Sequence, residues 1–512
     1  MIDTAALREK VLDLAIRGKL VPQDPTDEPA SVLLELIHEQ KLQMVREGKL
    51  KAKDVKDDTI IFKGDDNCYY EKFSDGTIKN IQDEIPFDLP NGWSWCRLKC
   101  ICPYGECDNV ECSEIKNDDW ILDLEDIEKD SGKILAFAKK SDKNSISTKH
   151  KFYQGQLLYS KLRPYLNKVV IAPKAGYCTS EILPLLFWGD IDVHYMQMYL
   201  MSNVFLSYTD KISYGVKMPR LGTADGKQAL IALPPNNEQK LIAKTFQDIL
   251  PALETIKTEQ CALEDIINLL KSKVLELAIQ GKLVPQDEND EPANVLLERI
   301  RTERKAKLGK KYVESYIFKG DDNCYYEKVG NTSKKISDEM SFDLPFGWCW
   351  ITLKEIATIT SGKTPKNEQI TDLGNIPYFK VGDMNLPGNE IFMEVVQYYV
   401  NDCYTGITFP KDSFIFPKNG GALLTNKKRI LKQESLVDLN TGVLIPSSAV
   451  NNEFMFYLFS TVDFTKNYKG STIPTIDNEM IGNIVFALPP IEEQFRIVQK
   501  IKVIMSILKS GV

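Results

Sequence analysis

Residues 14–37 of this 512-residue chain, LAIRGKLVPQDPTDEPASVLLELI, return at 277–300 as LAIQGKLVPQDENDEPANVLLERI, with 19 of 24 positions identical. IFKGDDNCYYEK at 61–72 returns unchanged at 317–328. FDLPNGWSW at 87–95 returns as FDLPFGWCW at 342–350, and IALPPNNEQ at 231–239 returns as FALPPIEEQ at 486–494. The last two pairs share an offset of 255, and between them lie segments 96–231 and 351–486, equal in length and almost unrelated in sequence. A repeat of this size decides the architecture before any single element does. The frame is duplicated and the inserts differ, which suits a molecule presenting two different readers on one symmetric support.

The frame predicts long helices. Over 238–280, Ile242, Phe246, Ile249, Leu253, Ile256, Gln260, Leu263, Ile267, Leu270, Val274 and Leu277 follow a 4-3 spacing broken in character only by Gln260. Such a seam is the pattern of a coiled coil. At about 1.5 Å per residue the helix would span roughly 60 Å. Pro251 falls off the seam, on the outer face, where it removes one backbone hydrogen bond. By the 255 offset, Ile497, Ile501, Ile504 and Leu508 occupy the same seam near the C-terminus; by an offset of 263, Leu7, Val11 and Leu14 occupy it near the N-terminus. The central helix thus holds in one piece what the two chain ends hold separately. This predicts a circular pseudo-repeat in which the termini, Met1 and Val512, meet beside the central helix. An antiparallel pair of helices would then relate the inserts by an approximate twofold, the kind of dyad that duplex DNA also has. Shorter helices are expected at 30–47 and 293–307, each followed by a small hairpin from the IFKGDDNCYYEK copies.

Composition is that of an ordinary soluble protein, with 43% hydrophobic and 27% charged residues. No apolar run reaches the roughly 18–20 residues of a membrane span, the N-terminus lacks a signal-peptide core, and eleven cysteines without framework spacing fit a reducing cytoplasm. The net charge of −8 argues against a polyanionic partner, but its distribution argues for one. Segment 106–130 holds eleven acidic and two basic residues, and 139–174 then holds nine basic residues and one acid, Asp142. Segment 411–432 holds six basic residues and Asp412. Local fields rather than net charge steer a polyanion.

Each insert mixes short strands, expected at 156–159, 169–172, 414–416 and 436–445, with helix at 193–212 and 453–467. The loops between them carry the residue types that contact DNA. SKLRPYLNK at 160–168 offers Lys161, Arg163, Tyr165, Asn167 and Lys168. Arginine and asparagine fork onto base edges, while lysine suits phosphate. The second insert offers Lys418 and Asn419 in PKNGG, and Lys427, Lys428 and Arg429 in TNKKR. YGVKMP at 214–219 echoes KGSTIP at 469–474 at the same offset of 255, which brings in Lys217 and Arg220. Lys363 and Thr364 of SGKTP complete the candidates.

Signals for catalysis are weak. SGKT at 361–364 lacks the upstream glycine of a phosphate loop. His38, His150 and His194 have no metal-ligand spacing, and the two LPP-x-x-EQ segments are not an amino-methyltransferase motif. Cys96, Cys100, Cys102, Cys107 and Cys112 cluster within 17 residues, but without paired C-x2-C spacing they read as small buried hydrophobes rather than a zinc site. Asp65, Asp66 and Glu71 read as turn acids rather than metal ligands.

The duplicated GKLVPQ, LP-x-GW-x-W and LPP-x-x-EQ elements resemble the specificity subunits of type I restriction–modification systems. WILDLEDIEKDSGKIL and YSKLRPYLNKVVIAP in the first insert resemble one class of their target recognition domains; SGKTP and IPYFKVGDM in the second resemble another. The resemblance implies an α+β chain with two mixed target recognition domains separated by a long antiparallel two-helix coiled coil. The domains expected are 1–85 (helical repeat and hairpin), 86–235 (first target recognition domain), 236–285 (central helix), 286–341 (repeated helix and hairpin), 342–490 (second target recognition domain) and 491–512 (C-terminal helix). It further implies a cytoplasmic, non-catalytic subunit without a cofactor or metal of its own. Such a subunit reads a bipartite site in double-stranded DNA and docks two methyltransferase subunits, which use S-adenosylmethionine. It also recruits restriction subunits that use ATP and Mg. The docking positions expected are Val274, Leu277, Ile279 and Leu283 with their copies Val11, Leu14, Ile16 and Leu20. Two other readings fit the residues: a single-chain DNA-modifying or DNA-cleaving enzyme, and a coiled-coil scaffold that does not bind DNA.

Overall fold

The structure, a computed structural model, describes all residues except 1, 144–145, 216, 338–339, 341, 402, 467, 471–472 and 511–512. The chain divides into two compact units, Met1–Cys261 and Ala262–Val512, each mixing helix and sheet. The expected meeting of Met1 with Val512 lies outside the described residues. No described helix is long and apolar enough to cross a membrane.

The first unit opens with helix Thr4–Ile16, capped by the Asp3 carboxylate, which accepts from the backbone N–H groups of Ala5 and Ala6. Helix Ala30–Arg46 follows, and then a three-stranded antiparallel sheet of Ile60–Lys63, Tyr69–Lys72 and Ile78–Asn80. The second unit repeats this with helix Ala293–Leu308 and strands Ser315–Lys319, Tyr325–Val329 and Thr332–Lys335. The expected hairpins therefore each gain a third strand. Residues 78–80 and 332–335 are exposed throughout, so they carry none of the apolar alternation that marks a half-buried strand. Within the repeated turn, Asn67 and Asn323 hold φ of 63° and 62°. Asp66 accepts from Cys68 N at 3.0 Å and from the Tyr70 hydroxyl at 2.7 Å. Glu71 is buried against Arg97 Nη2 at 2.6 Å. These acids close turns and a core ion pair.

The frame motifs meet in one joint per unit. Gly18 and Gly281, the glycines of the two GKL copies, take φ of +64° and +67° and lie against Pro90 and Trp93, and against Pro345 and Trp348. Trp93 Nε1 donates to Glu238 Oε2 at 2.9 Å, and Trp348 Nε1 to Glu493 Oε2 at 2.9 Å. Gln239 accepts from Asp192 N at 3.0 Å and donates to Pro234 O at 2.9 Å; Gln494 accepts from Asn451 N at 2.9 Å and donates to Pro489 O at 3.0 Å. The LPP-x-x-EQ motif is thus a buried polar bracket tying helix, neck and insert together.

Each insert leaves and re-enters the frame through a two-stranded antiparallel neck. Ser94–Arg97 pairs with Leu230–Leu233, and Cys349–Thr352 pairs with Val485–Leu488. The insert limits read from sequence identity are cross-strand partners here, Cys96 with Ile231 and Ile351 with Phe486.

Within the necks, the two unrelated sequences build the same core. Leu157–Ser160 pairs with Ile182–Leu185 in the register Ile182↔Ser160, and Phe414–Pro417 pairs with Thr441–Pro446 in the register Pro417↔Thr441. Third strands, Val169–Ile171 and Arg429–Leu431, pair at Leu157↔Ile171 and Phe414↔Ile430. Helices Val193–Met201 and Asn452–Ser460 follow, capped by Asp192 and Asn451. The expected helix 193–212 breaks at Ser202, which caps a second helix, Asn203–Ile212. The expected strand 436–445 likewise breaks at 438–440 into Leu436–Val437 and Thr441–Pro446. The main core of each unit joins neck, insert helix and frame helix: Trp95, Tyr199 and Ile242 in one, Trp350, Leu458 and Ile497 in the other.

The central helix runs over Asn236–Ile279 with Pro251 inside it and exposed. Its seam is covered unevenly. Ile242, Phe246, Leu253 and Ile267 are buried, whereas Leu263 and Leu270 are exposed. In helix Thr4–Ile16 the buried residues are Leu12, Ala15 and Ile16, one step round from the expected seam. There Ile16 belongs to the main core and is closed to a partner; the other expected docking positions, Val11, Leu14, Leu20, Val274, Leu277, Ile279 and Leu283, are half-buried.

Candidate nucleic-acid interface

The corner following the first strand of each insert core is where the two readers coincide. After Ser160, Lys161 O accepts from Leu221 N at 3.0 Å and Arg163 N donates to Pro219 O at 2.7 Å. After Pro417, Lys418 O accepts from Ile476 N at 3.1 Å and Gly420 N donates to Pro474 O at 2.9 Å. Arg163 and Gly420 share a left-handed backbone, with φ of 50° and 67°. Lys161 thus stands where Lys418 stands, and the segments carrying them zip onto the two loops that echo each other in sequence. Val216, Ser471 and Thr472 in those loops lie outside the described residues.

The candidates divide by what they touch. Lys161 is half-exposed, and Tyr165, Lys217, Lys363 and Thr364 are exposed. Lys418 is half-buried and donates to Ser361 Oγ at 2.7 Å and Asn478 Oδ1 at 3.0 Å, with burial lowering its pKa. Asn419 donates to Asn440 Oδ1 at 3.2 Å. Arg163 is half-buried, with its Nε lacking a hydrogen-bond partner. Arg220 forks onto Glu181, its Nη2 3.0 Å from Oε1.

The remaining candidates already hold partners within the insert, and two of them, Asn167 and Lys428, are buried. Asn167 is buried and donates to Met201 O at 3.0 Å; its φ of 50° suits the αL tolerance of asparagine. Lys168 donates to Leu124 O at 2.6 Å, and burial lowers its pKa. Lys428 is buried, donates to Val462 O at 2.6 Å and sits 4.4 Å over the Phe464 ring; burial brings its pKa down to about 8. Lys427 donates to Asn385, and Arg429 donates to Met384 O at 3.1 Å. A lysine written next to an arginine in sequence gives no sign of which one points inward.

The charge windows also look different in three dimensions. Lys139 pairs with Asp118 at 2.9 Å, and Lys143 with Asp126 at 2.8 Å and Asp123 at 3.0 Å. Part of the basic window is therefore spent on the acidic one. The SGKT segment makes no phosphate cradle. Gly362 N and Lys363 N donate to Thr441 O and Val437 O, each at 2.8 Å. Cys96, Cys100, Cys102 and Cys112 are buried and Cys107 half-buried, and among the described residues no group of three His, Cys, Asp or Glu side chains is placed to hold a metal ion.

Residues 345–510 match the type I restriction modification DNA specificity domain. The chain is 25% identical to the type I restriction enzyme EcoEI specificity subunit of Escherichia coli, over 97% of this chain and 88% of that one. It is 24% identical to the EcoAI specificity subunit of the same organism, over 96% and 87%. Over nearly its whole length the chain is similar to type I restriction enzyme specificity subunits. A chain solved in work on complex assembly and conformational transition of the type I R-M system shares the fold, with a TM-score of 0.58 at 16% identity, covering 83% of this chain and 93% of that one. The matched domain starts at Pro345 of the second LP-x-GW-x-W copy and takes in neck, insert and the helix Ile491–Ser510. The first unit has the same neck, bracket and corner. Sequence reasoning missed the exposed tips Met218 and Ile473, although the 255-residue echo had already paired the loops that carry them.

Proposed function

We propose that this chain is the DNA-reading subunit of a type I restriction–modification complex, each insert reading one half of a bipartite, asymmetric site. One observation carries this: two inserts of unrelated sequence put a lysine, a left-handed residue and a loop of the same hydrogen bonding at one corner of one core. A common backbone with different side chains is what two readers of different sequences need, since base edges are told apart by their donor and acceptor patterns. Lys161, Lys217, Lys363 and Lys418 supply positioning contacts to phosphate, and Arg163, Tyr165, Asn419 and Thr364 face the bases. The frame helices pair antiparallel, set the unread gap and dock methyltransferase subunits through the half-buried positions Val11, Leu14, Leu20, Val274, Leu277, Ile279 and Leu283. S-adenosylmethionine, ATP and Mg belong to partner subunits, and the chain itself performs no chemistry.

The test is an exchange of 96–231 for the matching region of a related chain, followed by sequencing of methylated genomic DNA. One half-site should change while the other half and the gap stay. A change in both halves, or a palindromic motif in the parent, would contradict the reading.

A further inference from the structure

Each corner loop ends in an exposed apolar side chain, Met218 at 51% exposure and Ile473 at 62%. The two positions are 255 residues apart, as the FDLP and LPP-x-x-EQ motifs are, and the described residues that close the two loops are alike. Tyr214 and Arg220 exchange both backbone hydrogen bonds, at 3.2 and 2.9 Å, and so do Lys469 and Thr475, both at 2.8 Å. Gly215 and Gly470 take φ of +104° and +88°. A Cβ on either glycine would press on the carbonyl oxygen of the tip residue itself, at 3.1 Å from Met218 O and 2.5 Å from Ile473 O. Glycine at these two positions is what lets the chain fold back under the tip.

A single exposed apolar residue needs no explanation. Two at the same point of the same loop, in inserts that otherwise share almost no sequence, do. Their surroundings say what covers them. Lys161, Arg163 and Lys217 share the corner with Met218, and Tyr165 and Tyr214 are exposed; Lys418 and Lys469 share the corner with Ile473, Lys418 held by Ser361 and Asn478 and Lys469 paired with Asp477 at 2.8 Å, and Tyr468 is exposed. A positive collar around an apolar tip suits a partner with anionic rails and stacked apolar rings between them, which is duplex DNA. Methionine and isoleucine are among the side chains that enter a base stack and part it.

We propose that Met218 and Ile473 are wedge residues, each inserting into the duplex within its own half-site, parting one base step and bending the DNA there. This rests on the reading of the inserts as DNA readers. It adds a second source of specificity. Pyrimidine–purine steps part most readily, so each half-site should place one at its wedge, independent of any hydrogen bond to its edges.

The experiment uses the methyltransferase complex assembled on the full chain. The duplex carries the motif found by sequencing methylated genomic DNA, with 2-aminopurine placed at successive positions. The parent complex should raise fluorescence at the target adenine, through its extrusion for methylation, and at one further step in each half-site. Met218→Ala should abolish the further signal in one half-site only, and Ile473→Ala in the other only. Each should weaken Kd by about tenfold, the size of one good base contact. Met218→Leu, which keeps an apolar wedge, should retain the signal. The proposal is overturned if the parent shows no step beyond the target adenine, or if that step survives Met218→Ala. A weakened Kd without a fluorescent step would reassign the tips to thymine methyl contacts. A complex that binds no duplex would remove the half-site reading together with the wedge, whereas full binding without unstacking would remove the wedge alone.

Discussion

Trp93 Nε1 donates to Glu238 Oε2 at 2.9 Å, joining residues 145 apart in sequence. Trp348 and Glu493 repeat the contact at the same distance and the same separation. Phe87 and Phe342 pack on the neighbouring Trp95 and Trp350 with ring centroids 5.1 and 5.0 Å apart. The carboxylates are buried, so the indole N–H groups satisfy an acceptor that water does not reach. Trp93→Phe and Trp348→Phe should each lower unfolding free energy by about 1–3 kcal/mol, the usual effect of orphaning a buried polar group. Urea titration measures this, and an unshifted midpoint would show the joint to be incidental.

The same carboxyls should leave a mark on pH dependence. Burial pushes Glu238 and Glu493 above the ordinary carboxyl value of 4.5, against the opposing hydrogen bonds from the tryptophans. The folded chain then holds these protons more tightly than the unfolded one. Their contribution to stability is full below the ordinary carboxyl range and falls as pH rises through the folded pKa. In Glu238→Gln with Glu493→Gln this loss should vanish, so the urea midpoints of parent and variant should diverge as pH rises from 4.5 towards neutrality. Parallel curves would rule the effect out.

Lys428 should behave in the opposite sense. Its pKa falls from 10.5 to about 8 in the folded state, because burial penalises the charge. Between those values the unfolded chain binds the extra proton, so stability rises with pH across the window and is lost as pH falls through the folded pKa. Lys428→Met should flatten that dependence. A variant whose unfolding curve tracks the parent from pH 8 to pH 10.5 would place the amine in water.

Surface lysines at the corner should report through salt. Lys161→Ala and Lys363→Ala should weaken duplex binding by the assembled complex for every sequence alike, each reducing the salt slope by about 1. Lys428→Met should leave the slope unchanged, because its amine is occupied by Val462 O. An effect of Lys161→Ala confined to one sequence would make it a base reader instead.

Gly18→Ala and Gly281→Ala should be destabilising well beyond an ordinary glycine replacement. Both hold positive φ, and an added Cβ would meet Pro90 Cγ or Pro345 Cγ at 2.5 Å or less. A loss above about 1 kcal/mol is expected in urea unfolding; a gain would mean that the frame relaxes around the added methyl.

The helices of the frame were legible because their apolar spacing is regular and their repeat doubles the signal. The central helix extends only two residues before the predicted start. The insert limits were legible, since identity stops within the two ribbons, but the pairing of the neck strands was not read from the sequence. The insert helix 193–212 was read through Ser202, because a serine cap inside an apolar run looks like one polar residue on a helix face. Asn167 and Lys428 were misread because sequence shows residue type and not direction, and both side chains turn inward to carbonyls, Met201 O and Val462 O. The shared core of the inserts left no trace in sequence at all. Buried strands ask only for apolar residues of suitable size, and Leu157, Leu158 and Tyr159 satisfy that as well as Phe414, Ile415 and Phe416 do.

Drift in length between the inserts is absorbed before the necks. The register shifts from an offset of 255 at the first neck strand to 257 at Ser160 and Pro417, and to 259 at Asp192 and Asn451, then returns to 255 at Tyr214 and Lys469. Insertions and deletions have thus accumulated inside a closed neck without moving either end of it. Heredity can therefore revise what the molecule recognises on one schedule and how it assembles on another. A lineage that gains a new insert inherits a working scaffold with it, and the two halves of its specificity are free to evolve out of step.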